Sequence, residues 1–240
     1  MRRKQFHLKS FIVVLLGLLS VISLSLPVVN AGDSLIFYTI ADTFVESDNP
    51  SANQGEFGWL MVDFENKSTS EDFRRNSYLL FNLTTLDRNI TAINSVTLRL
   101  YRSWTFPQTT QVGVHSCSDT QWNETELTWS NAPSFSPEPL DVKALDSDGE
   151  GTSYSWDVTD AVKNSQDYLT LVLTVEGGEG IYVTGFFAKE MENYDIPMLV
   201  IDYEVIPEFP SWTILPLFLV VTIFVIAFKK RMHFQRGESN

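Results

Sequence analysis

The densest run of chemically versatile side chains is Trp122-Asn123-Glu124-Thr125-Glu126-Leu127-Thr128-Trp129-Ser130-Asn131-Ala132-Pro133. Two indoles, two carboxylates and an Asn-Ala-Pro turn fall within twelve residues. Such a set could line a sugar groove, because sugar C–H faces stack on aromatic rings while carboxylates accept hydrogen bonds from hydroxyls. Alternatively the indoles plug one end of a sandwich, and the polar residues lock the loop onto its own backbone. The structural role is the expectation for Trp129, whereas Trp122 stays open between the two. Glu124 and Glu126 do not read as a glycosidase pair. Such carboxylates face each other across roughly 5 to 9.5 Å, usually from different strands, and these stand two residues apart on one loop. No GxSxG, HExxH or Cys/His ligand set is present, and His115 is the one histidine between residues 32 and 205. The expectation is that the chain is not an enzyme.

Asp42, Glu46, Asp48 and Asn53, with Gln54, form an oxygen-rich cluster. A hard cation wants several such oxygens at about 2.3 to 2.6 Å, so these residues could hold a structural Ca²⁺; the alternative is ordinary solvated turn residues. Positive charge is scarce, which draws attention to Arg74, Arg75, Arg99, Arg102 and Lys189. Arg75, Arg102 and Lys189, with Trp122 and Glu124, form the candidate ligand-binding set, the cations suiting carboxylate or sulfate groups of an anionic polysaccharide. Against that stands pairing with the many acids, and Lys189-Glu190 reads as a packed ion pair. Asn66, Asn82, Asn89 and Asn123 open glycosylation sequons. Cys117 is the single cysteine, so no intramolecular disulfide forms.

The elements that must position these groups read as strands. Period-two and β-branched runs recur at 35–41, 58–63, 77–83, 95–102, 111–117, 153–158, 168–175, 180–187 and 197–205. In 95–102 the apolar set Val96, Leu98 and Leu100 faces one way, and in 168–175 Leu169, Leu171, Leu173 and Val175 do. A short helix is expected at 160–164, capped by Asp157 or Thr159. About nine strands joined by long Asn, Asp, Gly, Ser and Pro loops predict an all-β, jelly-roll-type β-sandwich.

The ends differ from this middle. A basic start and the uncharged stretch 11–29 read as a signal peptide over 1–31, cut before Gly32. Residues 32–205 read as the β-sandwich domain and 206–210 as a short proline-bounded stalk. Residues 211–228 read as a transmembrane helix, and 229–240 as a basic cytoplasmic tail. This organisation predicts a single-pass cell-membrane protein with the domain outside, and makes the membrane a partner. Between the two ends, 29 acidic residues stand against nine basic ones. A surface so negative excludes nucleic acid as a partner.

Ala41-Asp42-Thr43-Phe44-Val45, Asn53-Gln54-Gly55, Arg75 with Tyr78-Leu79-Leu80-Phe81-Asn82-Leu83, Trp122-Asn123-Glu124 with Leu127-Thr128-Trp129 and Ala132-Pro133, Trp156-Asp157-Val158-Thr159, Phe187-Ala188-Lys189-Glu190 and Pro197-Met198-Leu199-Val200-Ile201-Asp202-Tyr203 occur in an order that resembles the DNRLRE domain family. The likeness covers about residues 35 to 205. That family is similar to disaggregatase-related domains and to a group of carbohydrate-binding modules. The resemblance implies a noncatalytic module on extracellular or cell-wall polysaccharide, uronic-acid-rich in some relatives. Asn82 and Ala188 depart from its usual Asp and Ser. The Pro-Glu-Phe-Pro stretch, hydrophobic run and basic cluster are similar to PEF-CTERM sorting tails of archaeal surface proteins, which implies processing and lipid attachment as the alternative to a permanent helix. The expected function is therefore a membrane-anchored surface module that binds polysaccharide. The alternatives are a structural or adhesive cell-envelope domain without specific sugar binding and, more remotely, a polysaccharide-active enzyme.

Overall fold

The computed structural model describes residues 33–67, 71–87, 91–105, 109–146, 151–177, 180–191 and 194–205, together with 222, 223 and 226. The strands lie in one compact unit, Val29–Val205. In the other unit only Thr222, Ile223 and Ile226 are described, and all three are helical and exposed.

Among the described residues ten strands are formed: β1 Asp33–Glu46, β2 Trp59–Glu65, β3 Phe73–Asn82, β4 Thr91–Thr105, β5 Thr110–Cys117, β6 Asp141–Leu145, β7 Ser153–Asp157, β8 Tyr168–Val175, β9 Ile181–Phe187 and β10 Met198–Val205. One short helix, α1 Thr159–Asn164, follows β7. Val158, and not the expected Asp157 or Thr159, stands at its N-cap, with no side-chain cap bond; the Asp157 carboxylate accepts hydrogen bonds from the backbone N–H and hydroxyl of Thr159, the first helical residue.

The strand order is β1-β10-β4-β9-β2-β3-β8-β5-β6, with β7 paired to β4, and every pairing is antiparallel. Because β1 also pairs with β3, the path from β1 to β3 closes on itself. Two strands serve both sheets of the sandwich. β1 pairs with β10 over Asp33–Tyr38 and with β3 over Thr39–Glu46, the register slipping between Thr39 and Ala41. β4 pairs with β10 and β7 before handing over to β9, with a second slip between Arg102 and Trp104. An extra residue kinks a strand and raises its twist, which lets it turn from one sheet into the next.

The expected inward sets fill the core between the sheets: Val96, Leu98 and Leu100 are inaccessible, as are Leu171 and Leu173. β8 carries a further layer. Its other parity, Thr170, Val172 and Thr174, is also buried, since the long loop after β5 covers that face. Trp156 joins the sheets: its ring sits edge-on to Phe186 at 5.8 Å, and its Nε1–H donates to the Val112 carbonyl of β5 at 2.9 Å.

Among the described residues no helix is long and apolar enough to cross a membrane. The expected span 211–228 lies outside the described residues apart from the three named above, as do 1–31, 206–210 and 229–240. The transmembrane helix, the single-pass cell-membrane placement and the membrane as partner are withdrawn with it; the all-β sandwich stands.

Candidate functional site

Just past the β1 bulge, Asp42 lies buried beside three other charged groups. Its backbone N–H donates to Glu124 Oε1 at 2.6 Å, and its Oδ2 accepts from the Lys189 backbone N–H at 3.1 Å. The Lys189 ammonium reaches Glu124 Oε2 at 2.9 Å and also pairs with Glu190. Asp42, Glu124 and Glu190 each present a carboxylate oxygen, and these oxygens lie within 4.8 Å of one another, an arrangement able to hold a metal ion. Burial, reinforced by the neighbouring Glu190 carboxylate, pushes Asp42 from 3.8 up to about 8.

Glu124 is delivered by the 122–133 loop, which is clamped by Asn53 from outside and by its own Asn131. Asn53 Nδ2 donates to the carbonyls of Glu124 at 2.7 Å and Leu127 at 2.8 Å. Asn131 Oδ1 accepts from the Thr128 N–H at 2.7 Å, and Asn131 Nδ2 donates to the Glu126 carbonyl at 2.9 Å. The close seat of Asn53 on Glu124 requires a glycine next door: a Cβ at Gly55 would lie 2.3 Å from the Glu124 carbonyl oxygen. Gly55→Ala is therefore expected to cost about 1–3 kcal/mol through overpacking against backbone, read as a lowered urea midpoint. An unchanged midpoint would show that the loop gives way freely.

The indoles of this loop are packing groups. Trp122 meets Tyr78 edge-on at 6.2 Å and donates from Nε1 to Thr170 Oγ1 at 3.1 Å. Trp129 packs with Trp122, Ala132 and Phe135 over Val45, Tyr78, Leu127 and Val172. The Tyr78 hydroxyl donates to the Pro133 carbonyl at 2.9 Å, tying the loop down.

The remaining candidates separate. Arg75 donates from Nε to Glu46 at 3.0 Å and from Nη1 to Asp63 at 2.6 Å, with its guanidinium over the Phe44 and Phe73 rings. Arg102 is inaccessible to solvent and donates to Thr184 Oγ1 and to the Asp146 carbonyl. Of the four residues first considered for Ca²⁺, Asp42 alone belongs to the acid cluster. Glu46 is taken by Arg75 and Gln54, Asp48 pairs with Lys67 at 2.7 Å, and Asn53 presents its amide donors to backbone. Asn66 and Asn123 are exposed and Asn82 half-buried, while Asn89 lies outside the described residues. Cys117 is buried, which raises its thiol pKa.

A second feature went unread in the sequence. Trp59, at the start of β2, is exposed and contacts Phe57 at 5.3 Å; Phe57 in turn contacts Phe44 at 5.7 Å. Trp59 is the cross-strand partner of Phe187 on β9, and Phe187 stacks on exposed Tyr194 at 4.1 Å. The alternation of β2 held the signal: Leu60, Val62 and Phe64 point inward, which turns Trp59 out. Elsewhere a groove of about 620 Å³ opens between the end of β5, α1 and the start of β8, lined by Ser116, Thr120, Asp160, Asp167 and Tyr168.

A closed antiparallel sandwich carrying a row of solvent-facing aromatic rings has the form of a binding module. Residues 35–203 match carbohydrate-binding module family 96, and the chain belongs to that family. The finer resemblances to DNRLRE domains and to PEF-CTERM tails have no specific match of their own. None of the curated protein sequences matches the chain. Among solved structures, the CBM22-1 and GH10 modules of Clostridium thermocellum endo-1,4-beta-D-xylanase 10B, complexed with xylohexaose, are 11% identical, with a TM-score of 0.30. That match covers 70% of this chain and 28% of the xylanase chain, and it carries no argument here.

Proposed function

We propose that the chain is a noncatalytic module that stacks an uncharged polysaccharide along Phe57, Trp59, Phe187 and Tyr194. The observation that supports this reading is the aromatic row itself, which exposes 43% of Phe57, 42% of Trp59 and 52% of Tyr194 in a member of a carbohydrate-binding family. Exposed rings in a contiguous row offer flat apolar faces to pyranose C–H groups. Charge argues for a neutral ligand. Arg75, Arg102 and Lys189, the cations an anionic polymer would use, are bonded to groups of the protein, and the chain as a whole is strongly acidic. In this reading calcium is a structural ion and not a sugar ligand.

The test is binding of the full chain to an array of neutral glucans, xylans and mannans alongside uronic-acid polymers. Trp59→Ala and Tyr194→Ala are each expected to weaken binding about tenfold, equivalent to about 1.4 kcal/mol, with circular dichroism unchanged. Tyr168→Ala, in the separate groove, is expected to leave it intact. Preference for uronans, or a loss that follows Tyr168 and spares Trp59, would overturn the assignment. Absence of any glycan binding, with self-association of the chain, would favour a structural or adhesive role; release of reducing ends from a bound polymer would show catalysis.

A further inference from the structure

We propose that Asp42, Glu124 and Glu190 bind one hard divalent cation of the calcium type. This places the structural ion of the reading above and stands whether or not sugar binds.

The argument begins with oxygen atoms that lack partners. Asp42 is 1% exposed, yet its Oδ1 has no hydrogen-bond partner, and neither does the buried Oε2 of Glu190. A buried carboxylate oxygen without a donor is costly, and evolved interiors rarely leave one so. Two of them in one cluster, within reach of a third carboxylate, point to a missing positive partner. The donors are all oxygen, with no histidine or cysteine among them, so the chemistry suits Ca²⁺ or Mg²⁺ over zinc or copper.

The three ligands come from β1, from the 122–133 loop and from the turn after β9. That turn is otherwise held by backbone bonds from Ala188 N–H to the Gly58 carbonyl, from Met191 N–H to Ala188 and from Tyr194 N–H to Met191. A cation here would pin segments far apart in sequence and steady the turn between Phe187 and Tyr194.

The experiment uses the full chain freed of metal with EDTA and titrated with CaCl₂ in a calorimeter, to about 10 mM, which covers the weak affinities of extracellular modules. The expected result is one ion per chain and a thermal midpoint that rises with Ca²⁺. Glu190→Gln is expected to weaken binding at least tenfold and to abolish the calcium-dependent rise in midpoint. Glu138→Gln, an acid outside the cluster, is expected to change neither. Should Glu190→Gln fail to fold, Glu124→Gln serves with the same readouts. No heat and no shift in midpoint across the range would overturn the site, and so would unchanged Ca²⁺ affinity in the folded cluster variant. Because no sugar enters the measurement, its failure is separable from failure of the carbohydrate reading.

Discussion

Arg75→Met is expected to destabilise the protein by about 3 kcal/mol at pH 8, because it leaves the buried Asp63 carboxylate without its counter-charge. Asp63 is 2% exposed, and Arg75 holds it at 2.6 Å while also bonding Glu46 at 3.0 Å. The size of the loss depends on pH in a defined direction. Burial raises Asp63 from 3.8 to about 6, with Arg75 opposing the rise. A carboxyl whose folded pKa lies above its unfolded value binds its proton more tightly when folded. Its contribution to stability is therefore fully present below about pH 4 and is lost as pH climbs through 6. Without Arg75 the carboxyl moves higher still, so the decline continues above pH 6. The deficit of Arg75→Met should thus be small at pH 5, where Asp63 is largely protonated in both proteins, and widen toward pH 8. Urea titrations at the two pH values measure it. Adding Asp63→Asn should recover much of the loss at pH 8. An identical deficit at both pH values would show that the apolar stem of Arg75, stacked on Phe44 and Phe73, matters more than its charge.

Trp156→Ala is expected to cost about 3–5 kcal/mol, a large share of the 5–15 kcal/mol that stabilises a typical domain. The indole is inaccessible to solvent, packs on Phe186, and bonds the Val112 carbonyl across the sandwich. Its removal opens a cavity and cuts a sheet-to-sheet hydrogen bond together. Trp156→Phe keeps most of the volume and should cost clearly less. A fall in the urea midpoint for alanine with an unchanged slope is the expected signature. A cost for Trp156→Ala below 1 kcal/mol would mean that the core collapses around the gap and that the sheets are held elsewhere.

Neither effect is readable from residue types. Arg75 had been grouped with possible ligand cations, and only the β2–β3 register, which sets Asp63 opposite Arg75, shows where its charge is spent. The strand Asp141–Leu145 was missed because Asp141 and Lys143 interrupt its apolar pattern; it forms by pairing with the edge of β5. β1 and β4 run longer than their local pattern because each crosses a register slip and continues in the other sheet. A period-two reading ends where the parity changes, so a bulge looks like a terminus.

What the amino-acid order determined by itself was the all-β class, the inward sets of the main strands, the acidic surface and the absence of a familiar catalytic constellation. These are local or compositional properties, carried by alternation and counts. The tertiary structure decided which charges meet. Asp42, Glu124 and Glu190 come from distant segments, Arg102 is sealed inside, and Trp59 joins Phe187 and Tyr194 at the surface. Such meetings depend on register and on where bulges redirect a strand: a shift of one residue would send the strand residues Asp42, Trp59, Arg102 and Phe187 to the opposite face.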